Sequence, residues 1–110
     1  MAEYQSIKTE VLAKLETHLP EIRERFGIDT LSLFGSVARQ QDTPDSDIDL
    51  LYTFLPGKAT LQNLNGLRDY TENLFQRKVD LVSRKWIDDI LLSSIRNDII
   101  TCTPAPGETA

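Results

Sequence analysis

The stretches Thr30-Leu31-Ser32-Leu33-Phe34-Gly35-Ser36 and Asp47-Ile48-Asp49-Leu50-Leu51-Tyr52-Thr53-Phe54, with positions 37–46 between them, decide how this chain folds. Leucine, aromatic and β-branched residues dominate both, and Ser32 alternates with apolar neighbours, a pattern of half-buried strands. The first strand runs into Gly35-Ser36, a turn from which Val37–Gln41 can wind a short helix. The second follows Gln41-Asp42-Thr43-Pro44-Asp45-Ser46, whose composition is that of a turn. The two strands are therefore expected to lie side by side as a hairpin-like pair.

Reading outward, Val79-Asp80-Leu81-Val82 is a short apolar run suited to a third strand. Between the second and third strands, Pro56-Gly57 breaks the chain, and Leu61, Leu64, Leu67, Thr71, Leu74 and Phe75 recur as on a helix of about four turns. Ahead of the first strand, Ile7, Val11, Leu12, Leu15 and Leu19 mark an amphipathic helix over Ser6–Leu19. Pro20 suits the start of a second short helix, Glu21–Phe26, closed by Gly27. A final helix is expected over Trp86–Arg96, with Trp86, Ile90, Leu91 and Ile95 facing the core. The sum is an α/β (α+β) domain over residues 1–102, a small mixed sheet of three or four strands flanked by helices. Residues 103–110, with two prolines and a glycine, are expected to form a frayed tail.

The 110 residues hold 12 Lys+Arg against 17 Asp+Glu, a formal charge of −5, with 40% hydrophobic residues. That size suits one core and excludes two full domains. Binding a polyanion depends on neutralising phosphates with cations, so no extended nucleic-acid surface is expected. An acidic surface suits a basic protein partner better. No run approaches the roughly 18 to 20 apolar residues needed to cross a bilayer, and Met1–Glu10 lacks the basic and apolar regions of an export signal, so a cytoplasmic location without membrane attachment is expected. Cys102 is the only cysteine, which excludes an intramolecular disulfide and a Cys-based zinc site and leaves a buried thiol.

Residues two apart in a strand share a face, so Asp47 and Asp49 project together. Carboxylates so placed repel unless a cation lies between them, and hard oxygen ligands suit Mg²⁺ or Mn²⁺. Alone, the pair is more often a solvated strand start or turn than a metal site. Gly35-Ser36 adds a place where the backbone can approach a ligand and amides can hold a phosphate, although Ser36 as a plain N-cap is the simpler account of an isolated Gly-Ser. Asp80 sits in an apolar run where an unpaired buried charge is costly. It either joins Asp47 and Asp49 on one face or is an edge-strand acid paired with Lys78 or Arg77.

Taken together, Gly35-Ser36, ten residues, then Asp47-Ile48-Asp49 resembles the signature of the DNA polymerase beta-like nucleotidyltransferase superfamily. The wider string from Leu33 to Arg39, Asp45 to Leu51 and Lys78 to Val82 is similar to its minimal nucleotidyltransferase (MNT) branch, the antitoxin partners of HEPN-domain toxins. The resemblance spans Leu31–Val82 and implies the polymerase beta-like fold. It implies that Gly35 and Ser36 contact the triphosphate of ATP and that Asp47 and Asp49 hold two Mg²⁺ ions, Mn²⁺ being a substitute. Asp80 would complete the metal site and help activate the acceptor hydroxyl. Arg39 matches the family's arginine one turn into the helix, with phosphate contact and pairing to a nearby carboxylate both open. Gln40 stands where many relatives carry glycine. The implied reaction is in-line attack of a hydroxyl on the α-phosphate with loss of pyrophosphate. For the MNT branch this is protein adenylylation, AMP passing from ATP to a tyrosine of the cognate HEPN ribonuclease in a hetero-oligomer. Two alternatives stand beside it: a non-catalytic antitoxin acting by binding and occlusion, and a stand-alone nucleotidyltransferase with another acceptor.

Other motifs fail. An EF-hand loop from Asp45 would need glycine at Leu50 and glutamate at Pro56. His18, the only histidine, lies far in sequence from the acids and reads as a surface or helix-end residue. No arginine precedes it, so the R-x(4-6)-H pattern of HEPN ribonucleases is absent. Arg77, Lys78, Arg84 and Lys85 bracket Asp80 and read as a solvated rim before they read as phosphate ligands.

Overall fold

A computed structural model describes residues 3–103. Along the chain run α1 (Lys8–Phe26), β1 (Ile28–Phe34), α2 (Gly35–Ala38), β2 (Ile48–Phe54), α3 (Leu61–Phe75), β3 (Val79–Ser83), α4 (Asp89–Ile95), one 3₁₀ turn (Arg96–Asp98) and β4 (Ile100–Thr101). The strands form one mixed sheet in the order β3-β2-β1-β4. β1 pairs antiparallel with both β2 and β4, while β2 and β3 are parallel. The expected α/β class and the hairpin-like first pair are both found. The tail expected from Thr103 lies, from position 104 onward, outside the described residues.

Strand alternation sorts the core into two clusters. Ile28, Leu31, Leu33, Ile48, Leu50, Tyr52 and Val79 pack beneath α1 and α3, whose Val11, Leu15, Leu19, Ile22 and Leu67 are buried. On the opposite face Phe34 and Leu51 meet Ile95 of α4, with Val82, Ile87, Leu92 and Ile99 around them. Asp49 lies on this second face, between Phe34 across the ladder and Leu51 along the strand. Cys102 is buried as expected, and burial pushes its thiol up to about 12, so it is inert.

Two expectations are corrected. Pro20 does not open a second helix but lies inside the 19-residue α1. Its ring is exposed, so water can satisfy the carbonyl that loses its partner, while buried Leu19 and Ile22 hold the helix together. Gly27 does close the helix, at φ 65° with its N–H donated to the Arg23 carbonyl at 2.9 Å. The last helix also starts later than expected: Asp88 caps it by accepting from Ile90 N at 2.7 Å. That start turns Leu92 and Ile95 inward and leaves Trp86, Ile90 and Leu91 at 79%, 81% and 45% exposure. Trp86 instead lies under the Lys85 ammonium, 5.3 Å from the ring centroid. β4 is too short for strand periodicity to register.

These placements predict that Leu67→Ala, emptying a fully buried site, lowers stability by about 2–5 kcal/mol in urea denaturation. Ile90→Ala, on an exposed site, shifts it by less than about 0.5 kcal/mol.

Candidate active site

Three segments meet at one end of the sheet: the turn after β1, the start of β2 and the start of β3. Phe34 pairs with Asp49, and Asp49 with Asp80, in the ladders on either side of β2. Direct register partners share a face, so Asp80 stands level with Asp49 on the neighbouring strand. Asp47 ends the loop just before β2. Asp49 and Asp80 are thus level on one face, and Asp47 lies at the same end, near enough for its charge to act on Asp49.

Gly35 explains how Asp49 fits there. It sits at φ 80°, and a methyl group on its Cα would collide with Asp49 Oδ2. The carboxylate therefore lies directly over a backbone with no side chain. Ser36 follows inside α2, whose N-cap is Phe34, so the N-cap account of Ser36 does not hold. Gln40 closes the turn at φ 59°. A left-handed conformation costs a side-chain-bearing residue roughly 1–2 kcal/mol, a cost that glycine would avoid.

The electrostatics follow from this crowding. Partial burial, then the charges of Asp80 and Asp47, push the Asp49 carboxyl up to about 6, with Arg39 offsetting part of the rise. Arg39 donates to Asp98 Oδ2 at 3.1 Å and to Gln41 Oε1 at 3.0 Å. Of its two open roles, it takes carboxylate pairing here, with a partner in the 3₁₀ turn that sequence spacing does not indicate. Asp80 is exposed rather than buried, so the desolvation cost inferred from its apolar neighbours is small. Among the described residues it joins no ion pair. Lys78 is exposed, and Arg77 is directed elsewhere, to the carbonyls of Thr43 and Ser46. His18 is half-buried and bonds Tyr70 at 2.9 Å, away from the acids.

The donor set consists of hard carboxylate oxygens around a group whose charge is unfavourable without a counter-ion, and this fits Mg²⁺ or Mn²⁺. Among the described residues no three His, Cys, Asp or Glu side chains already converge as a tight ligand cluster.

Fold and site together define a small nucleotidyltransferase domain. The profile of the nucleotidyltransferase domain family matches residues 15–105, and the chain belongs to that family. It is 31% identical over 91 residues to the protein adenylyltransferase MntA of Thermococcus cleftensis, covering 83% of this chain and 91% of that one. A solved structure described as a candidate minimal nucleotidyltransferase superposes with a TM-score of 0.71 at 28% identity, covering 90% of this chain and 98% of the other. A chain from the complex of a tri-AMPylated Shewanella oneidensis HEPN toxin with MNT antitoxin shares the fold, with a TM-score of 0.59 at 14% identity over 89% of this chain and 73% of its own.

A folded-state value above the ordinary 3.8 means that folding favours protonated Asp49. This contribution is complete below the unfolded value and is lost as pH rises through about 6. In metal-free protein, Asp49→Asn is therefore expected to raise Tm by a few degrees at neutral pH, with the gain vanishing below about pH 4. Paired thermal melts across that range check it.

Proposed function

We propose that this protein is a protein adenylyltransferase that passes AMP from ATP to a tyrosine of a HEPN-domain toxin and so neutralises it. The single observation that carries this reading is the juxtaposition of Asp49 over Gly35 with Asp80 in register beside it. Such a site can accept a divalent cation and a phosphate chain at the same place. The relatives named protein adenylyltransferases and the fold shared with the MNT antitoxin support the acceptor class.

In this reading the backbone at Gly35 and the Ser36 hydroxyl hold the triphosphate, the missing side chain at Gly35 letting the phosphates approach. Asp47 and Asp49 would hold two Mg²⁺ ions, and Asp80 would complete the set. Bound Mg²⁺ supplies neutralisation of phosphate charge and a lower pKa for the acceptor hydroxyl. Asp80, exposed at the sheet edge, takes the proton of the incoming tyrosine. The tyrosine oxygen forms a bond to the α-phosphorus as the bond from that phosphorus to the bridging oxygen breaks, and pyrophosphate leaves. Arg39 stands near enough to Asp49 to moderate its charge and is held there by Asp98. The acidic surface, with its net charge of −5, suits a basic partner face.

Intact-mass spectrometry of a co-expressed HEPN partner, after incubation with ATP and Mg²⁺, tests the reading. Wild-type protein is expected to add AMP masses to the partner, and Asp47→Asn/Asp49→Asn to add none. An unmodified partner held in a tight complex by the wild type would instead establish neutralisation by occlusion.

A further inference from the structure

The loop of residues 41–47 has the task of presenting Asp47, yet it contains no helix or strand, and Thr43, Pro44 and Asp45 are exposed. Its internal bonds close one turn: Ser46 N donates to the Thr43 carbonyl at 3.1 Å, and Thr43 N to Ser46 Oγ at 2.8 Å. What ties that turn to the rest of the molecule is Arg77. Its Nη1 donates to the Thr43 carbonyl at 3.0 Å and to the Ser46 carbonyl at 3.2 Å. Its Nη2 reaches Tyr4 Oη at 3.3 Å, and the guanidinium lies 6.0 Å from the Tyr4 ring centroid. Tyr4 in turn donates to Asp42 Oδ2 at 2.7 Å, which also accepts from Ile7 N at 3.1 Å. The loop is thereby held at its first part by the start of α1 and at its last part by Arg77.

Arg77 stands three residues before Asp80 and directly after Gln76, the left-handed C-cap of α3. The Ser46 carbonyl that it holds belongs to the peptide leading into Asp47. One side chain thus connects the segment that bears Asp47 to the root of the strand that bears Asp80. One nitrogen, Nη1, serves both carbonyls while Nη2 reaches Tyr4, and the planar guanidinium fixes all these donor directions together, which a lysine ammonium on a flexible stem does not.

We infer that Arg77 is a positioning residue, fixing Asp47 against Asp49 and Asp80 so that mutual repulsion does not swing the loop away. This rests on the transferase reading above, because it gives Asp47 its ligand role. Outer groups that orient metal ligands change affinity by about 10–100-fold when removed, and an effect of that size is expected here.

The test compares wild type with Arg77→Ala, Arg77→Lys and, as a control for charge, Lys78→Ala. Lys78 is exposed, and its backbone carbonyl, which accepts from Ile48 N at 3.0 Å, survives the substitution. Amide exchange of Ser46 in metal-free protein reads the clamp, and Mn²⁺ calorimetry reads its consequence. Both Arg77 variants are expected to speed exchange and weaken Mn²⁺ binding by about 10–100-fold, with Lys78→Ala close to wild type. Raised Mg²⁺ should restore part of the lost transfer rate. Faster exchange with Mn²⁺ affinity within twofold of wild type would overturn the positioning role and leave Arg77 purely structural. If Arg77→Ala does not fold, Arg77→Lys decides by the same criteria. A wild type that binds no Mn²⁺ would contradict the transferase reading itself, and the proposal with it, while the exchange data would still report whether the clamp exists.

Discussion

Three carboxylates brought to one end of a sheet, with the central one laid over a residue that has no side chain, is the constraint on which the rest of this structure depends. Asp49 can occupy its position only because Gly35 adds no methyl group beneath it, and Gly35 adopts φ 80° at little cost because it is glycine. Parallel pairing of β2 with β3 then brings Asp80 level with it. Burial, and then the charges of Asp80 and Asp47, hold the Asp49 carboxyl above its usual range. In the proposed transferase reading, a cation between these carboxylates would relieve that unfavourable charge.

The architecture serves this end of the sheet at small cost in residues. α1 and α3 cover one face, where the larger core cluster lies, and the opposite face has the short α4 over Phe34, Leu51 and Val82. The same economy leaves Asp47 on a loop without core anchorage, and hydrogen bonds from Arg77 and to Asp42 take the place of packing. Rigid strands hold two of the acids and a polar clamp the third.

Most of this was legible in the sequence because it is written in local patterns. Alternation around Ser32 and the run from Asp47 to Phe54 mark the central strands, and the Gly-Ser turn with the spaced aspartates marks the end of the sheet proposed as the site. What was not legible depends on distant partners. α4 starts at Asp89 behind a cap at Asp88, three residues after the start at Trp86 that periodicity suggests, and Trp86 and Ile90 are left exposed. Pro20 reads as a helix start by local rules, yet buried neighbours on both sides override it. The partners of Arg39 and Arg77 lie 59 and 31–34 residues away. No spacing rule reaches so far, and a surface arginine reads the same whether it is solvated or holds a loop in place.

The most direct measurement of the central claim is the proton count that accompanies Mn²⁺ binding, obtained by calorimetry in two buffers of different ionisation enthalpy. If Asp49 is the strained centre of the site, Mn²⁺ must displace its proton where the group is still largely protonated. Release is then expected at about pH 5.5 and should fade by about pH 8, and Asp49→Asn should remove it. Mn²⁺ binding with the same proton count at both pH values, or release that persists in Asp49→Asn, would contradict the account.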